Sequence, residues 1–220
     1  MVGAFNVFLK IMFLFRFLSQ STVSALLVLL TTFSLSAQTN QALADGMIVV
    51  VNSNDPDSLS IGQYYARQRG IPGTNIVQLD APTEETISVA QYVETVANPL
   101  LNKLLDNEWV KGVKDSSKDS YGRERLSISI HSIPFVVLIK GVPLRIANDP
   151  SLIEEKTANL PKQLRVNNGS VDGEVALLLA PPGISMTALV PNPNFQKSTI
   201  STGDANRLLR VSRLDGPTNS

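Results

Sequence analysis

Residues 47–79 read MIVVVNSNDPDSLSIGQYYARQRGIPGTNIVQL, and the fold class follows from their order. Met47-Ile48-Val49-Val50-Val51 is a continuous apolar, largely β-branched run with no polar alternation. Such a strand must be covered on both faces, the condition met inside a parallel sheet. Asn52-Ser53-Asn54-Asp55-Pro56-Asp57-Ser58 then collects residue types that cap helices and form turns. Leu59, Ile61, Gly62, Tyr65 and Ala66 recur at helical spacing, and Arg67 and Arg69 lie where the helix dipole favours cations. Gly70 stops this helix, Ile71-Pro72-Gly73 turns the chain, and Ile76-Val77-Gln78-Leu79 makes a second short strand. The segment is a β–α–β unit whose right-handed crossover sets its two strands parallel.

Toward the C-terminus, the pattern predicts a helix from about Val89 to Leu105. Pro99 interrupts it as a kink or as the start of a second helical segment. Residues 111–127 (KGVKDSSKDSYGRERLS) are charged, serine-rich and poor in large apolar groups, which predicts a surface loop or insertion. Ile133-Pro134-Phe135-Val136-Val137-Leu138-Ile139 is the third strand and leads into Lys140-Gly141-Val142-Pro143-Leu144-Arg145-Ile146. Residues 147–169 read as irregular, and Ser170 caps a short helix with Asp172 and Glu174 in its first turn. Residues 181–203 read as loop, and Arg207 to Leu214 as a fourth strand running into Asp215-Gly216-Pro217-Thr218. Strands alternating with helices predict an α/β fold with an open, mostly parallel sheet of Rossmann or flavodoxin type. With no helix after the fourth strand, that sheet is expected to be incomplete on its C-terminal side.

Toward the N-terminus, apolar runs at 4–18 and 22–35 flank Ser19-Gln20-Ser21. The second run has the length of a signal-peptide core and is short for a membrane span of ~20 residues. Ala42-Leu43-Ala44 offers small residues at the two positions that signal peptidase reads. Residues 1–44 are therefore expected to be a cleaved leader, with Ala37 as a second cleavage site and Met12 as an alternative start. The expected location is exported, periplasmic or extracellular; an uncleaved leader anchoring the chain in the membrane is the alternative. Residues 45–220 then form a single domain, long enough for its own core.

Composition excludes several classes of function. The 19 basic and 19 acidic residues balance, and because Lys10 and Arg16 fall in the leader, the remainder is slightly acidic. Nucleic acid is not expected as a partner, since phosphate binding needs a basic face. The chain has no cysteine and one histidine, His131, so zinc–thiolate sites, a cysteine nucleophile and multi-histidine metal sites are excluded within it.

VVVNSNDPDSLSIGQYYARQRGIPGTNIVQLDAPTEETIS, IKGVPLRI, SVDGEVALL and SRLDGPT together resemble an uncharacterised family of exported bacterial proteins. That family is found mainly in genomes encoding exosortase, the membrane enzyme of a protein-sorting system. The resemblance spans about residues 47–218. It implies export and an association with exosortase-type surface sorting, with envelope or surface-sorting proteins as partners, and it implies no particular reaction. Members of the family continue well past the RLDGPT motif, so this chain, ending at Ser220, is expected to be a truncated product.

In open α/β sheets ligands sit beyond the carboxyl ends of the strands. That rule selects Asn52, Asn54, Asp55 and Asp57 after the first strand, Lys140 and Arg145 after the third, and Asp215 after the fourth. Asp55 and Asp57 are hard oxygen donors suited to calcium or magnesium, and Lys140 and Arg145 suit an anionic ligand or pairing with those acids. Helix capping and turn formation are the favoured account of the Asn/Asp cluster over ligand binding, and capping accounts for Ser170, Asp172 and Glu174. His131, just before the most apolar strand, reads as structural. The chain carries no G-x-S-x-G elbow, no G-x-G-x-x-G after its first strand and no P-loop. Two functions stay open. One is an exported accessory or binding protein. The other is an exported hydrolase or peptidase with a caspase-like sheet, whose catalytic residues would lie beyond residue 220.

Overall fold

The structure, a computed structural model, describes residues 41–152, 161, 163, 166–180, 196 and 208–216. The chain divides between Leu43 and Ala44, and the architecture below is that of the unit beginning at Ala44. The expected leader, apart from residues 41–44, and the expected loop at 181–203, apart from Gln196, lie outside the described residues.

The first β–α–β unit forms as its sequence dictates. Strand β1 (Ile48–Asn52) is buried along its whole length. Helix α1 (Pro56–Arg69) starts on Asp55, whose carboxylate accepts the amides of Asp57 and Ser58, and ends on Gly70 in the left-handed region at φ 65°. Strand β2 (Ile76–Leu79) lies parallel to β1, with Val50 beside Val77. On the other side of β1 runs β6 (Val136–Ile139), all four residues buried, with Leu138 beside Val50. Strand β9 (Val211–Leu214) completes the sheet in the order β2-β1-β6-β9, every pair parallel. This is the expected open, Rossmann- or flavodoxin-like α/β sheet.

The alternation of side chains in β1 and β6 divides the core in two. Val49, Val51, Val137 and Ile139 pack with Ala66 and Ile71 on the α1 face. Ile48, Val50, Val136 and Leu138 point the other way, into a cluster with Val96, Leu100 and Leu104. Each such fully buried aliphatic side chain is worth about 1.5–3 kcal/mol. Gly62 lets α1 approach the sheet closely, because a Cβ there would overlap the Cγ1 of Val51.

The second helical region is three segments. Helix α2 (Val89–Tyr92) opens with a reciprocal capping box between Ser88 and Gln91. A π-helical turn, Val93–Ala97, follows, in which the Asn98 amide donates to the Val93 carbonyl. Helix α3 (Asn98–Asp106) then starts afresh with Pro99 in its first turn. Proline lacks the amide that would continue the ladder, so it begins a segment here, the second of the two expected outcomes.

Residues 111–127 are not a loop. Except for the turn at 119–123 they belong to the two longest strands described, β4 (Val110–Lys118) and β5 (Glu124–His131), paired antiparallel. Leu126, Ile128 and Ile130 alternate with Arg125, Ser127 and Ser129, a period of two that the abundance of charge and serine conceals. Gly122, at φ 86°, makes the turn. The arm is rooted by Val110 and Leu126, both in the core.

The third and fourth strands are shorter than their apolar runs, starting at Val136 and Val211. Pro134 cannot donate to a ladder, which keeps Ile133–Phe135 out of the sheet although Ile133 is buried. A smaller sheet joins β3 (Thr86–Ile87), β7 (Arg145–Ile146) and β8 (Gly169–Ser170), and helix α4 (Val171–Ala176) follows on a Ser170 cap.

Candidate functional site

At the carboxyl ends of β1 and β6, where the strand order reverses, the expected site residues are drawn into the fold's own hydrogen bonds. Asn52 is fully buried. Its amide nitrogen donates to the carbonyls of Pro82 (3.1 Å) and Gly141 (2.8 Å). Its amide oxygen accepts from the backbone of Asn54 (3.1 Å) and Ala81 (3.2 Å). One side chain thus ties together the loops after β1, β2 and β6. Asn54 donates to the Ala81 carbonyl at 2.9 Å. Ser53 hydrogen-bonds the carboxylate of Asp80. Asp55 caps α1, and its carboxylate lies so near Gly141 (φ 92°) that a Cβ there would overlap it.

The charged candidates lie outside this knot. Lys140 reaches Asp57 across the gap between the β1 and β6 loops, 3.8 Å apart. Arg145 pairs with Glu85 at 3.2 Å on the surface, and Asp215 is exposed just past β9. Among the described residues no group of three or more His, Cys, Asp or Glu side chains is placed so as to hold a metal ion. A calcium or magnesium ion at Asp55 and Asp57 would therefore draw its other ligands from backbone oxygens and water. Capping predicts that Asp55→Ala costs about 1 kcal/mol in urea unfolding, equally with calcium or with chelator. A calcium-dependent part of that loss would mark cation binding instead.

A different set of polar residues meets at a half-open cleft lined by the end of α2, the π turn, the first residues of β5 and the segment after α4. Arg123 donates to Asp119 at 2.7 Å, stands 3.7 Å from Glu174 and stacks over Tyr121 at 5.4 Å. Burial pushes the Glu174 carboxyl above its ordinary value, and Arg123 only partly opposes that. The fully buried Tyr92 hydroxyl is also pushed well up, by burial first and by the Glu174 charge second. Glu124 pairs with Lys114 at 2.6 Å. Arg125 also lines the cleft, and its buried Nε has no hydrogen-bond partner among the described residues.

The raised Glu174 carboxyl fixes the sign of a pH effect. The folded state holds this proton to higher pH than the unfolded chain does, so ionising Glu174 costs stability as pH rises through its folded value. Glu174→Gln is therefore expected to raise Tm at pH 7, and the gain should shrink as pH falls through the folded value and be gone below 4.5, the ordinary carboxyl value. A gain independent of pH would contradict this origin.

Of the acidic helix start, only Ser170 acts as a cap, accepting the Gly173 amide at 2.9 Å. Asp172 pairs with Arg213, and Glu174 faces the cleft. His131 closes β5, its Nδ1 accepting from the Ile133 amide at 3.3 Å. Arg123 and Arg125 escape a sequence reading that assigns residues 111–127 to a loop. The Leu126-Ile128-Ile130 alternation is the signal that would have set Arg125 on a strand and Arg123 just before it. No family model matches the chain, and comparison with curated proteins and solved structures gives no match. Among the described residues no helix is long and apolar enough to cross a membrane.

Proposed function

We propose that this chain is an exported binding protein, an accessory of exosortase-type surface sorting, and that its cleft receives an anionic group of the ligand. Export and the sorting system rest on the leader pattern and on the resemblance carried by residues 47–218. Binding rests on one observation: Arg125 lines the cleft with a buried Nε that has no acceptor, beside an Arg123 already engaged by Asp119 and Glu174. An unsatisfied buried donor costs about 1–3 kcal/mol, which a carboxylate or phosphate oxygen would recover on binding once the side chain turns its Nε to the cleft. A guanidinium is the group best shaped for such an oxyanion. The neighbouring π turn is consistent with this assignment, since such turns occur frequently at functional sites.

The binding half of the proposal is tested by thermal shift with short peptides bearing a free carboxyl terminus, their amidated counterparts, and a sugar acid. At least one carboxylate probe should raise Tm, its neutral counterpart should not, and Arg125→Gln should weaken binding about tenfold or more, the loss of one charge-assisted hydrogen bond. If no carboxylate probe moves Tm, the cleft is not an anion site. The export half is tested separately, by fusing alkaline phosphatase after the leader. An inactive fusion retained in the cytoplasm would remove it.

A further inference from the structure

We propose that the β4–β5 arm is a dimerisation element, and that two copies of this chain join by antiparallel pairing of their β4 strands about a two-fold axis at Val113. The arm is a two-stranded sheet, so among the described residues the outer edge of β4 has no strand beside it. An unpaired edge is a template for a further strand, and a two-stranded ribbon is marginal without a third. On the face of the arm turned from the core, Val113 is 73 % exposed, and Ile130, opposite Lys111 and turned to this face by the strand irregularity at Ser129, is 56 % exposed. Neither α1 nor the parallel sheet covers them.

The order of charges along β4 identifies the occupant. In Lys111-Gly112-Val113-Lys114-Asp115, an antiparallel partner centred on Val113 sets valine against valine and Lys111 of each copy against Asp115 of the other. A centre one residue later would set Lys114 against Lys114, which like-charge repulsion disfavours. Lys111 and Asp115 are both exposed. Neither is in an ion pair among the described residues, so both are available across the axis. The contact is isologous, as in a closed two-fold dimer, and it turns two two-stranded ribbons into one four-stranded sheet.

The absence of cysteine makes the test direct. Val113→Cys in the full chain places one thiol on the axis, where directly opposed Cα atoms are about 4.5–5.5 Å apart, within disulfide reach. Mild oxidation of intact cells should give a band of twice the chain mass on a non-reducing gel. Tyr64→Cys, on α1 and 60 % exposed, should give at least fivefold less. Lys111→Glu or Asp115→Lys alone should reduce the Val113→Cys band several-fold, and the two reversals together should restore it. A chain that stays monomeric, a band of any other mass, equal cross-linking from Tyr64→Cys, or a double reversal that fails to restore the dimer overturns the proposal.

Discussion

Asn52→Asp is expected to destabilise the protein by about 4 kcal/mol or more at pH 7, a large part of the 5–15 kcal/mol that holds a domain folded. The substitution keeps the oxygen that accepts from Asn54 and Ala81 and replaces the nitrogen that donates to Pro82 and Gly141. An ionised oxygen would then face two carbonyl oxygens in a fully buried position. That loses two hydrogen bonds and leaves a buried charge uncompensated. Asn52→Ala removes all four bonds without adding charge, and should cost about 2–4 kcal/mol, each stranded buried group being worth 1–3. The order Asp worse than Ala is the informative result. It should narrow at low pH, because a buried carboxyl binds its proton more tightly in the folded state and the charge penalty vanishes once it is protonated. Urea unfolding of the three proteins at pH 7 and pH 4 measures this. Equal stability of Asn52→Asp and the parent would mean that the amide does not tie the loops together.

That role for Asn52 marks how far the sequence could be read. The strands covered on both faces were legible because a run such as Ile48–Val51 has no other stable environment. The β1–α1–β2 unit was legible because Asp55 and Gly70 punctuate a helix of the right length. The cluster at Asn52–Asp57 was legible as chemically unusual, and both uses assigned to it, capping and ligand binding, draw on the same oxygens. What decides between them is which carbonyls and amides come within hydrogen-bonding distance. Asn52 meets Pro82 and Gly141, 30 and 89 residues away, and no local pattern encodes that. The arm was missed for another reason. Its period-two signal uses serine as well as charge at the alternate positions, so the segment looks like linker composition. With the arm unread, Arg123 and Arg125 could not be set opposite Tyr92 and Glu174, and the cleft had no walls.

Arg213 shows the same limit from the side of a single cation, and its removal is the second large effect expected. It lies in β9 with its side chain 12 % exposed. Its Nε donates to Asp172 at 2.9 Å, and its two terminal nitrogens donate to the carbonyls of Val142 (2.8 Å) and Pro143 (2.9 Å). The guanidinium fork therefore joins KGVPLRI, SVDGE and SRLDGPT, three segments that lie far apart in the chain. Arg213→Ala should cost about 3 kcal/mol, because it strands two carbonyls and a carboxylate, discounted for the 36 % exposure of Asp172. Arg213→Lys should recover less than half, since one ammonium cannot reach the carboxylate and both carbonyls in a fixed plane. The loss should also be local. Amide exchange in β9 and α4 should accelerate by tenfold or more while β1 and β2 keep most of their protection, because the clip holds the edge of the sheet and not its centre. A double-mutant cycle with Asp172→Ala separates the ion pair from the two carbonyl contacts, and should return a coupling of about 1 kcal/mol. Unchanged exchange in β9 after Arg213→Ala would show that strand pairing alone fixes the edge, and that the meeting of the three segments at this side chain carries no stability of its own.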